Sequence, residues 1–218
     1  MSTLEHFLDP STVSLKICGV RTLEDAERLA ALGVDALGVN FWPSSKRYLA
    51  PAEAAWLHEV AGKILRVGVF VNAPPDLPLR LVREGLLDAV QLHGDEAPSD
   101  AAAFREAEVP FIKAIGVQTM ADLTRANEYG ASALLLDAHA PGIYGGTGEV
   151  FDWELASEFR RHHPHLPVLL AGGITPENTW LAATSVQPAA LDIASGAETS
   201  PGVKDFEKVA AFLTALSR

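Results

Sequence analysis

The chain has 218 residues, with 17 Lys+Arg against 28 Asp+Glu and a formal net charge of −11. That balance excludes a protein that coats nucleic acid, since no basic surplus exists to neutralise phosphates, and it disfavours an anionic membrane surface. Apolar residues make up 48% and charged residues 21%, a globular composition, and the single cysteine, Cys18, rules out a disulfide framework within the chain.

Residues 1–12 read as an N-terminal extension. Glu5, His6 and Asp9 set it apart from the basic start and apolar run of a signal peptide. No apolar stretch approaches the ~20 residues of a membrane span, so the expectation is a soluble, cytoplasmic protein. The first strand is expected over 13–18. Thr22 and Gly33 bracket a helix over 23–32 as N-cap and C-cap. A strand over 36–41 follows, and then Pro51 opens a helix over 52–61 that Gly62 closes. Further on come a strand over 65–71, a helix over 78–87, a strand over 89–93, a helix over 99–107 and a strand over 111–115. A helix over 121–129 ends at Gly130. The chain continues with a strand over 133–137, a helix over 152–162, a strand over 168–171, a helix over 177–184, a strand over 191–194 and a helix over 205–216.

Several of the strands are apolar at nearly every position, as in Ala133, Leu134, Leu135 and Leu136. Strands covered on both faces look like this, which points to a parallel sheet under helices. Eight strand–helix units with no linker indicate α/β architecture, a single-domain (β/α)8 TIM barrel over 13–218. An open doubly wound sheet normally has five or six strands, so the count separates the two, and a flavodoxin-like sheet is the competing architecture. Neither a dinucleotide fingerprint nor a Walker A sequence is present.

In a barrel of this kind the chemistry sits at the C-terminal ends of the strands. Cys18 ends the first strand, where a thiol can act as base or nucleophile if a neighbouring cation lowers its pKa. Asp137 ends the sixth, a carboxyl placed to serve as general acid or, alternatively, to cap the 138–148 loop. Together they form a candidate proton-transfer pair. At unshifted pKa values, thiolate with protonated aspartic acid is populated at on the order of a few parts in 10⁵ at pH 7, so the site has to move those values. Gly172 and Gly173 after the seventh strand, and Ser195 and Gly196 after the eighth, are candidates for a phosphate cradle of bare amides. Gly145 and Gly146 follow the sixth strand in a run long enough for a lid or a further cradle. Arg47, on the loop after the second strand, could clamp a carboxylate with two hydrogen bonds. His93 is either a ligand contact or a satisfied loop residue. His162, His163 and His165 lie away from the barrel mouth, and no metal site is expected there or elsewhere.

In order along the chain stand Lys16-Ile17-Cys18-Gly19, Phe41 to Tyr48 with Arg47, Val67 to Asn72, and Gln91-Leu92-His93-Gly94-Asp95. They are followed by Leu136-Asp137 with Gly145-Gly146-Thr147-Gly148, Ala171-Gly172-Gly173 with Pro176-Glu177-Asn178, and Ser195-Gly196 with Pro201 to Asp205. Taken together, from Lys16 to about Phe212, this series resembles the phosphoribosylanthranilate isomerases of tryptophan biosynthesis. Lys46 stands where the family often has proline, and Ala194 where it often has serine. The resemblance implies a (β/α)8 barrel without cofactor or metal that carries out an Amadori rearrangement of a sugar-phosphate substrate. It implies Asp137 as the acid that protonates the furanose ring oxygen and Cys18 as the base that takes the C2 proton. It also implies Arg47 at the anthranilate carboxylate, and Gly173 with Ser195 and Gly196 at the phosphate. No nucleic-acid or membrane partner is expected, and the chain is either a monomer or a homodimer. The competing functions are an epimerase-like sugar-phosphate enzyme, which would want a His/Asp metal set, and a catalytically idle phosphate binder, which would not need Cys18 and Asp137 together.

Overall fold

The computed structural model describes residues 3–138 and 152–217. A one-turn helix, α1 (Leu4–Phe7), precedes the first strand. Eight parallel strands then close into a barrel in chain order: β1 (Ser14–Cys18), β2 (Ala36–Asn40), β3 (Leu65–Phe70), β4 (Ala89–Leu92), β5 (Phe111–Val117), β6 (Ala133–Ala138), β7 (Val168–Leu170) and β8 (Ala190–Ile193). The ring closes where Lys16 pairs with Asp192 and Ile17 with Ile193.

The crossovers carry α2 (Leu23–Leu32), α3 (Asp76–Arg83), α4 (Ala102–Glu106), α5 (Trp153–His162), α6 (Thr179–Val186) and α7 (Phe206–Leu216). A short antiparallel pair, β9 (Glu198–Ser200) and β10 (Val203–Lys204), is inserted between β8 and α7. The caps of α2 are those expected: the Thr22 hydroxyl accepts from the Asp25 amide at 3.2 Å and Gly33 takes the left-handed conformation. Asp205 caps α7 by accepting from the amides of Glu207 and Lys208.

Two expected helices are instead 3-10 turns. One is the run Pro51–Val60. The other, expected over 121–129, is split into Met120–Leu123 and Ala126–Tyr129. There a Thr119–Asp122 capping box closes one tight turn, Arg125 leaves helical geometry, and a second turn ends at left-handed Gly130. The helices expected over 78–87 and 99–107 are shorter, at Asp76–Arg83 and Ala102–Glu106.

Period-two alternation divides the core. Outward residues such as Ile17, Leu37, Val90 and Leu134 pack under the helices. Inward residues such as Leu65, Val67, Ile112, Leu135 and Leu169 fill the barrel. Phe7 of α1 joins the inward set, whose members Ala36, Leu65, Ala89, Ala133 and Ala190 are the first residues of their strands. The helix therefore plugs the end opposite the strand C-termini. Phe7 is completely buried, so Phe7→Ala is expected to cost about 3–5 kcal/mol by lost burial and an unfilled cavity. Urea denaturation would measure it, and a loss below about 1 kcal/mol would mean that α1 does not seal the barrel.

Candidate active site

Above the apolar layers the inward positions turn polar. Lys16 and Cys18 share one face of β1 because they are two residues apart, and Gln91 and His93 do the same at β4. Lys16 is fully buried, and its Nζ donates to Asp192 Oδ1 at 2.8 Å and to Gln91 Oε1 at 3.0 Å. Gly38 on the neighbouring β2 leaves the room: a Cβ there would lie 2.8 Å from the Cys18 sulfur and 3.1 Å from Lys16 Nζ.

Burial pushes the Cys18 thiol above its ordinary value. The Lys16 ammonium pulls it back, Asp192 raises it again, and Lys204 and Arg47 oppose that from farther off without cancelling the rise. Burial works against the Lys16 charge too, but Asp192 and the Cys18 sulfur outweigh it and hold that ammonium above the usual lysine range. Because Cys18 is the single cysteine, thiolate absorbance reports on it alone. In the free protein its midpoint is expected above the ordinary ~8.5. A midpoint below that value would mean that the cations dominate over burial.

Asp137 is 7% exposed at the end of β6. Its Oδ1 accepts from the Ala138 amide at 2.8 Å, while Oδ2 faces His93 Nε2 at 3.5 Å. Cys18 and Asp137 stand on β1 and β6, three strands apart round the ring through β8 and β7. The loop that carries His93 is clamped from beneath. Glu96 accepts from the amides of Asn72 and Gly94 and from Lys113 Nζ, which also donates to the Gly94 carbonyl.

Arg47 is held by a residue that sequence reasoning missed. Its Nε and Nη2 donate to the two oxygens of Glu198 on β9, at 2.9 and 2.7 Å, a fork-on-fork pair in which Nη1 takes no part. Glu198 also takes Lys204 Nζ at 2.7 Å, and Lys204 donates to the Cys18 carbonyl at 2.6 Å. Gly19, left-handed at φ 80°, makes way for the Arg47 side chain, whose Cδ a Cβ would strike.

The glycine turns meet as a pair. Gly172 and Gly173 both have positive φ, 82° and 60°, and their amides have no hydrogen-bond partner among the described residues. Asn178 braces this turn, donating to the Gly173 carbonyl and accepting from the Thr175 amide. At the end of β8, Ser195–Ala197 form one 3-10 turn, and a Cβ on Gly196 would strike the Ile174 carbonyl, so the two turns are in contact. Gly145 and Gly146, with the loop that follows Ala138, lie outside the described residues. His163 stacks on Phe159 with ring centroids 4.3 Å apart at the far end of α5, and among the described residues no three of His, Cys, Asp and Glu are grouped to hold a metal ion.

A family model described as N-(5'-phosphoribosyl)anthranilate (PRA) isomerase matches residues 15–215. The N-(5'-phosphoribosyl)anthranilate isomerase of Myxococcus xanthus is 45% identical over 209 residues, covering 94% of this chain and 96% of that protein. The crystal structure of phosphoribosyl anthranilate isomerase from Thermotoga maritima superposes with a TM-score of 0.85 at 39% identity, over 94% of this chain and 99% of that one. A further crystal structure, of a phosphoribosyl anthranilate isomerase in complex with reduced 1-(o-carboxyphenylamino)-1-deoxyribulose 5-phosphate, matches with a TM-score of 0.81 at 36% identity, over 94% and 99% of the two chains.

Proposed function

This chain belongs to the N-(5'-phosphoribosyl)anthranilate isomerase family, and from that premise we propose how its residues divide the reaction. The enzyme converts N-(5'-phosphoribosyl)anthranilate to 1-(2-carboxyphenylamino)-1-deoxyribulose 5-phosphate in tryptophan biosynthesis. No atoms are gained or lost, so the chemistry is proton movement between neighbouring positions. Asp137 gives its proton to the furanose ring oxygen, the ring C–O bond breaks, and the anthranilate nitrogen supplies the electron pair that leaves an iminium at C1. Cys18, as thiolate, takes the C2 proton, and the C–H electrons form the enolamine that tautomerises to the ketone. One passage leaves Asp137 ionised and Cys18 protonated, so the pair is reset before the next turnover.

Arg47, steadied by Glu198, holds the anthranilate carboxylate with Nη1. Gly172, Gly173, Ser195 and Gly196 present amide dipoles to the phosphate, which lets a chain of net charge −11 bind an anion. We read residues 1–12 as an N-terminal extension whose helix α1 plugs the barrel, and 13–218 as the catalytic unit.

One observation carries this division: a thiol beside a buried ammonium, and a carboxyl that accepts from the Ala138 amide, stand at the C-terminal ends of two strands three apart round one barrel. The experiment is to mix metal-stripped protein with phosphoribosyl anthranilate and follow anthranilate fluorescence between pH 5 and 10. Rapid loss with a bell-shaped pH dependence is expected. No loss at any pH would overturn the reading.

A further inference from the structure

His93 has no role in the steps above, yet it ends a continuous polar chain across the barrel. Lys16 Nζ is 3.0 Å from Gln91 Oε1, Gln91 Nε2 is 2.6 Å from His93 Nδ1, and His93 Nε2 is 3.5 Å from Asp137 Oδ2. The direction of this chain follows from its first member. An ammonium has three donors and no acceptor, so the Gln91 end that faces it has to be the carbonyl oxygen. The other end of the same amide is then NH2, a donor, and it is aimed at Nδ1. A ring nitrogen that receives a donor carries no proton of its own, so the imidazole proton sits on Nε2, facing Asp137.

We propose that Lys16 is a positioning residue which, through Gln91, fixes His93 as a neutral imidazole protonated on Nε2 alone and aimed at Asp137. The consequence rests on Asp137 acting as the acid. An imidazolium would bring Nδ1–H against the Gln91 NH2 group, two donors face to face, so the Gln91–His93 hydrogen bond requires a bare Nδ1. With Nδ1 bare, the ring presents its Nε2–H toward Asp137, the group proposed above as the acid. Among the described residues, Lys113 and Glu96 pair at 2.6 Å beneath its loop, and Lys16 pairs with Asp192 at 2.8 Å. Asp137 Oδ1 accepts from the Ala138 amide, and the His93 Nε2–H faces its Oδ2 across 3.5 Å.

The test is a long-range ¹H–¹⁵N spectrum of the histidine rings of the full-length protein at pH 7, with His93 assigned as the signal lost in His93→Asn. Nδ1 is expected to be bare and Nε2 protonated. Gln91→Glu keeps the size of the side chain but offers acceptor oxygens to both Lys16 and Nδ1. In that variant Nδ1 is expected to gain a proton, and kcat to fall at least about tenfold. A protonated Nδ1 in the parent protein, a bare Nδ1 in Gln91→Glu, or an unchanged kcat in a variant whose Nδ1 has become protonated would each overturn the proposal. Failure of Asp137 as the acid is seen separately, as near-normal turnover in Asp137→Asn with the parent His93 tautomer as stated.

Discussion

Cys18→Ala and Asp137→Asn are each expected to lower kcat by about 10²- to 10⁴-fold while leaving the barrel folded, because a positioned proton transfer contributes that much. Asp137→Asn retains an oxygen for the Ala138 amide, bonded at 2.8 Å in the parent, so the loss falls on the proton and not on the loop. Cys18→Ala removes one sulfur from a site already shaped by the missing side chain of Gly38, and the far-ultraviolet circular dichroism melt is expected to move little. The two groups act in series on one substrate, so the double variant is expected to be little worse than the poorer single one. Steady-state kinetics on all three variants checks this. Turnover near the parent rate in either single variant removes that residue from its role.

Glu198→Ala is expected to have the second large effect, on stability and on substrate binding together. Glu198 is the counter-ion of two cations, Arg47 and Lys204, and the three side chains are 3%, 12% and 0% exposed in that order. Breaking a buried pair by removing one partner leaves uncompensated charge and costs about 3–5 kcal/mol. Burial already holds Lys204 below the usual lysine range, with Glu198 working against that depression. Without Glu198 the ammonium is expected to titrate lower still. Arg47 would lose the fork that aims it, so KM is expected to rise at least about tenfold while kcat falls less, as removal of an interaction made equally in ground and transition states does. Glu198→Gln keeps one acceptor and is expected to fall between. Denaturation midpoints and KM measured side by side check it. An unchanged KM in a folded Glu198→Ala protein would mean that Arg47 does not need this clamp.

Much of the barrel was legible in the residues because its signals are local. Each of the eight strands begins and ends within two residues of the expected run, since both-face burial makes a strand read as an apolar block ended by a polar or glycine residue. Thr22 and Gly33 announce helix ends for the same local reason. The rule that chemistry collects at strand C-termini then singled out Cys18, Asp137 and the two glycine turns. The 3-10 turns at Pro51–Val60 and after Thr119 carry the same apolar spacing as a short helix, so the residue pattern alone predicts helices there. The plug helix α1 was read as an extension because a single turn carries no periodicity.

Lys16 stands two residues before Cys18, and Gln91 two before His93, so period two already puts each pair on one face. Asp192 stands two residues after Ala190, which faces inward, so the same period puts its carboxylate inward too. What residue order could not supply is the partner. Lys16 meets Asp192 across 176 positions of sequence and Gln91 across 75, and Arg47 meets Glu198 across 151. Strand order, strand ends and the acid–base candidates follow from short-range pattern, because burial and turn chemistry act over a few residues. The counter-ion of Arg47, the direction of the Lys16–Gln91–His93 chain and the closing of the barrel floor by Phe7 depend on ring closure. Only closure brings β1 beside β8 and opposite β4, where a charge with no water left must find its match.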